Sequence, residues 1–79
     1  MAAAEPLSRR AERAADILQA RLSWPDAERY AAVLDQAGVL ESGDEEGAVA
    51  VLTAHVPRYR AEAFIRDLRM CGVMEKANG

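Results

Sequence analysis

The side chains that could do chemistry are few and scattered. His55 is the only histidine and Cys71 the only cysteine. A zinc site needs three or four ligands at suitable spacing, and one histidine with one cysteine falls short, so the sequence implies neither a metal nor a cofactor. A nucleophilic Cys71 would need a base and an electropositive, partly exposed setting. Its spacing from Phe64 and Leu68 instead places it in a helix core. With no acid–base pair, activated nucleophile or phosphate-cradling loop legible, the chain does not read as an enzyme.

Charge is the feature that stands out. Asp35, Glu41, Asp44, Glu45 and Glu46 fall within twelve residues that hold no basic residue, and Arg58, Arg60, Arg66 and Arg69 follow within the next helical stretch. One reading is a solvated surface with ordinary helix-end charge preferences. The other is an acidic and a basic interaction face, which would raise encounter rates and fix orientation with a partner or a second copy. Opposite patches on different faces would give head-to-tail contacts. A net charge of −3 weighs against a general nucleic-acid binder.

The elements that must carry these charges read as helices. At 79 residues the chain is one domain with a thin core. Hydrophobic residues reach 51%, much of it alanine, which favours helix and adds little volume. Strand-like alternation is absent, so the expectation is an all-α, compact bundle of four to five short antiparallel helices over residues 6–77, after a flexible leader over 1–5. No run is long enough for a membrane span, the N-terminus lacks the apolar core of a secretory signal, and one cysteine fits a reducing compartment. A cytoplasmic protein is the default.

In order, Pro6 suits the first turn of a helix running to Leu22, with Leu7, Ala11, Ala14, Ala15, Leu18 and Leu22 on one face and Ile17 on its flank. Arg9 and Arg13 can each meet an acid three or four positions on. Ser23-Trp24-Pro25-Asp26 reads as a second start, with Ser23 capping and Asp26 reaching back. That helix turns Ala27, Tyr30, Ala31, Leu34 and Ala37 inward and stops at Gly38. Trp24 at the elbow either pins the crossing of the first two helices or anchors a partner.

Ser42 and Glu45 mark a third start. Ala48, Val49, Leu52 and Val56 line its inner face, and Gly47 weakens it by about 1 kcal/mol relative to alanine. The last helix, from Pro57 to a stop at Gly72, buries Ala61, Phe64, Ile65, Leu68 and Cys71. It also carries a second, minor apolar stripe of Tyr59, Ala63 and Met70. That stripe either meets another helix of the bundle or forms part of a partner surface. The endings of the second and last helices match: Tyr30, Leu34, Ala37, Gly38, Val39 and Leu40 recur thirty-four positions later as Phe64, Leu68, Cys71, Gly72, Val73 and Met74. Two copies fall below a solenoid, so the reading is two amphipathic helices closed by one kind of glycine cap.

A helix ending in Leu-x-x-Ala-Gly-Val-Leu, short helices in about eighty residues and separate acidic and basic stretches resemble the death-fold superfamily, nearest its caspase-recruitment-like domains and their bacterial counterparts. The resemblance covers Tyr30 to Leu40 and Ala48 to Gly72. It implies six helices, whereas the sequence marks four, with a fifth over Met74 to Ala77 and none after Leu40. It also implies homotypic contacts joining Asp44, Glu45 and Glu46 of one copy to Arg58, Arg66 and Arg69 of another. The leading expectation is therefore a non-catalytic protein-interaction module, an adaptor or homotypic assembly domain, with Trp24, Tyr59 and Met70 as its apolar contacts. A small helix-turn-helix DNA-binding regulator is the alternative, since Gly-Val-Leu and Gly-Val-Met endings occur there too. A third reading is a protein inhibitor of an enzyme or defence system.

Overall fold

The computed structural model describes residues 8–74 as an all-α bundle of five helices: α1 Arg9–Leu18, α2 Trp24–Gln36, α3 Val39–Ser42, α4 Glu45–Leu52 and α5 Arg58–Met70. The leader, Pro6, Leu7 and the helix expected to extend to Ala77 lie outside the described residues. None of the helices is long and apolar enough to cross a membrane.

α1 and α2 make the most extensive helix pair. Both carry buried alanine: Ala11, Ala14 and Ala15 on α1 and Ala27 and Ala31 on α2 are all fully buried. Small side chains let two helices approach closely, so a face of little volume still excludes water. α1 therefore packs within its own bundle, against α2, α3 and α5. The larger side chains Leu18, Leu34, Leu40, Leu52, Phe64, Ile65 and Leu68 fill the centre, and no buried side chain among the described residues is polar or charged.

Several helix ends differ from the sequence reading. The cap of α1 is Ser8, whose hydroxyl accepts from the Ala11 N–H at 3.1 Å. The helix closes at Leu18, and residues 19–22 form tight turns rather than another helical turn. Ser23 is the N-cap of α2 by backbone position but makes no side-chain cap bond. Asp26 accepts from Arg29 at 2.7 Å instead of reaching back. α4 is capped by Asp44, whose carboxylate accepts from the Gly47 N–H at 3.0 Å, while the Ser42 hydroxyl accepts from the Asp44 N–H at 3.3 Å. The aspartate wins because a short turn of helix, α3, ends in the left-handed Gly43 and takes Ser42 into itself.

That short helix, Val39–Ser42, includes Leu40 and was not marked in the sequence. Both matched endings close on a left-handed glycine, with φ of 76° at Gly38 and 79° at Gly72. Val39, Leu40, Val73 and Met74 fold back and are buried. Ala37 and Cys71, expected inside, are both exposed. The reason is common to the two sites. Each is the last residue before the glycine, and the chain that folds back supplies its own two side chains to the core there.

Candidate functional site

α5 positions most of the charged and apolar candidates, so its azimuths set the surface. At about 100° per residue, Phe64, Leu68, Ala61 and Ile65 define one side, and all four are buried. Tyr59, Ala63, Arg66 and Met70 fall on the opposite side. Tyr59 is 72% and Met70 78% exposed, and Ala63 is half-buried. No described helix covers this stripe, which corrects the expectation that it would meet another helix of the bundle. An amphipathic helix needs one apolar side to fold; α5 has two.

The arginines divide around this stripe. Arg58 and Arg69 flank it on the side facing α4, where Arg69 Nε meets Glu45 Oε2 at 3.1 Å and Arg58 Nε meets Glu62 Oε2 at 3.1 Å. Glu45, Glu46, Val49, Arg58, Glu62, Ile65, Arg66 and Arg69 line a shallow, open groove of about 300 Å³ between α4 and α5. The acidic start of α4 and the basic side of α5 are thus neighbours along one groove. Arg66 makes no ion pair with the described residues. Arg60 points away from this set, its guanidinium lying 5.4 Å from the centre of the Phe64 ring.

The acidic candidates are likewise spread. Asp44 is committed to the cap of α4 and Glu45 to Arg69. Glu41 sits on α3 and is exposed. Asp35, on α2, accepts from the Ser8 hydroxyl at 3.2 Å, a contact with the N-cap of α1 rather than with the groove. On the far flank of the α5 stripe, Asp67 pairs with Arg21 at 2.7 Å, tying the turn after α1 to α5. These pairs are at least 30% exposed on both partners, so each contributes no more than about 1 kcal/mol. Their effect is on geometry and on what a partner meets.

Trp24 opens α2 and keeps 40% of its surface exposed, leaving one side available for contact. His55 is exposed, with its ring 5.6 Å from that of Tyr30. Cys71 is a free, exposed thiol. The described residues bring no three His, Cys, Asp or Glu side chains together as a metal site would require.

The sequence reading missed what Arg10 and Arg13 do. Arg9 and Arg13 are expected to meet acids on their own helix, and nothing is expected of Arg10; Arg10 and Arg13 instead reach across the bundle. Arg10 Nη1 donates to the Val73 carbonyl at 2.6 Å and approaches the Leu40 carbonyl at 3.5 Å. Arg13 Nη2 donates to the Cys71 carbonyl at 3.2 Å. Helix C-termini present unpaired carbonyls and negative dipole ends, which attract cations. The only available signal was three arginines at the start of a helix, where the dipole disfavours them.

Comparison of the chain with protein-family models, with curated proteins and with solved structures finds no match.

Proposed function

We propose that this chain is a small, non-catalytic protein-interaction module, an adaptor or homotypic assembly domain, that binds through the outer side of α5 and its charged flanks. One observation carries the reading. Tyr59 and Met70 stand 72% and 78% exposed on the side of α5 opposite its buried face. A domain with a thin core gains more from burying large apolar groups than from displaying them, and clustered exposed apolar groups rimmed by charge mark contact surfaces. Tyrosine, arginine and methionine are enriched in interfaces, and all three types meet on this stripe. Most charged side chains nearby already serve caps and ion pairs, with Asp44 on Gly47, Glu45 on Arg69 and Glu62 on Arg58. That assigns them to shape and orientation rather than to turnover. A cytoplasmic setting suits the free Cys71 thiol.

A photo-crosslinking amino acid at Tyr59, in the full chain in cells, tests the reading. A discrete adduct from Tyr59 and none from the same group at exposed Gln36 is the expected result. No adduct at either position overturns it.

A further inference from the structure

We infer that the partner of the α5 stripe is the same stripe on a second copy of this chain, joined antiparallel about a two-fold axis between Phe64 and Ile65. The inference rests on the interaction-module reading and names the occupant of its surface. A two-fold contact must be self-complementary, each patch meeting itself reversed. The outward stripe of α5, within RYRAEAFIRDLRM, can meet itself in this way. Reversed about the midpoint of Tyr59–Met70, between Phe64 and Ile65, Tyr59 falls opposite Met70, Glu62 opposite Asp67, and Ala63 opposite Arg66.

The azimuths turn this register into contacts. Tyr59 and Met70 lie within about 20° of one another on the outward side, eleven residues apart, or about 16 Å along the helix. In the antiparallel pair the Tyr59 ring of each copy meets the Met70 thioether of the other, twice, at the two ends of the interface. Sulfur on aromatic ring is a favourable contact. Near the axis, small Ala63 leaves room for the long Arg66 side chain of the other copy. Arg66 and Glu62 both lean toward the α4 side of the stripe, and a two-fold axis normal to the helix pair keeps them on one side. Arg66 of one copy therefore comes level with Glu62 of the other, about 1.5 Å apart along the axis. Arg66 makes no ion pair with the described residues of its own copy; the second copy supplies one.

The two Arg66 side chains come about 4.5 Å apart along the axis on the same side, and each diverges toward Glu62 of the other copy. Glu62 is already neutralised by Arg58, and Asp67, on the opposite flank, by Arg21. The like-charged Glu62 and Asp67 of facing helices thus sit on opposite rims, each held by its own arginine. A single pair of helices of this length makes a small interface, at the weak, transient end of specific complexes.

Purified full-length chain carrying Cys71→Ser supplies the test. Oxidation should link Ala63→Cys copies into dimers, because the two sites lie about 4.5 Å apart along the axis. Tyr59→Cys alone, about 16 Å from its symmetry mate along the axis, should remain single and should link when mixed with Met70→Cys. By light scattering, the wild-type mass should rise from one chain toward two as the concentration is raised to about 1 mM. Arg66→Glu should weaken association by about tenfold or more, and the exchange Glu62→Arg with Arg66→Glu should restore most of it. All of these positions are at least partly exposed, and unchanged far-ultraviolet circular dichroism will verify the fold. A single-chain mass up to about 1 mM, or equal linkage of Tyr59→Cys with and without Met70→Cys, overturns the dimer. If the purified chain stays single while the Tyr59 photoprobe captures a different protein in cells, the dimer fails and the interaction module stands. If neither copy nor protein is captured, both fail.

Discussion

Replacing Arg10 by alanine should destabilise the domain out of proportion to any other arginine in α1. The Arg10 guanidinium donates to the Val73 carbonyl at 2.6 Å, and its 3.5 Å approach to the Leu40 carbonyl is at the limit of a hydrogen bond. A charge-assisted bond to a partly buried carbonyl contributes about 1.5–3 kcal/mol. The longer contact adds little, so the loss should be about 2 kcal/mol. For a domain of this size total stability is about 4–12 kcal/mol, and 1 kcal/mol moves Tm by about 4–8 °C. Thermal unfolding followed by circular dichroism should therefore show Tm falling by about 8–16 °C. Arg9 makes no hydrogen bond or ion pair with the described residues, and Arg9→Ala should stay within about 0.5 kcal/mol of wild type. Equal effects for the two variants, or a loss for Arg10→Ala under about 0.5 kcal/mol, would refute the clamp.

Four other substitutions follow from the helix caps and an ion pair. Gly47→Ala would ordinarily stabilise a helix by about 1 kcal/mol, but an added Cβ collides with the Asp44 carboxylate that caps α4. It should be neutral to destabilising in the wild type and stabilising by up to about 1 kcal/mol in an Asp44→Ala background, a change of sign read by urea denaturation. Gly38→Ala and Gly72→Ala each place a Cβ in open space on a left-handed backbone, so both should lose about 1–2 kcal/mol, and by similar amounts, because the endings are alike. Glu45→Gln, which removes the Arg69 pair at 3.1 Å, should change stability by less than about 1 kcal/mol in the same assay.

The helical class and most of the core were legible because period, alanine content and glycine stops all point the same way. Phe64, Leu68, Leu34, Leu52 and Val49 could each be placed inward from spacing alone. Helix ends were less legible, since neighbouring Ser42 and Asp44 offer rival caps and only the Gly43 turn decides between them. Ala37 and Cys71 carry core-like spacing to the last residue, yet the returning chain takes their place. The Arg10 clamp joins residues sixty-three positions apart, and nothing local to either end announces it. Grouping the arginines by sequence also hid that Arg60 turns toward Phe64 while Arg58 and Arg69 share a groove with Glu45. The Tyr59 and Met70 stripe was visible in the sequence; that no described helix covers it was not.

The most direct test of the contact surface is radical footprinting of Met70 and Trp24 inside cells and in the dilute purified chain. Both side chains are exposed in the single copy, at 78% and 40%, and only Met70 lies on the outer side of α5. The account predicts that Met70 oxidises more slowly relative to Trp24 in cells than in dilute solution. The same ratio of Met70 to Trp24 oxidation in both settings would contradict it.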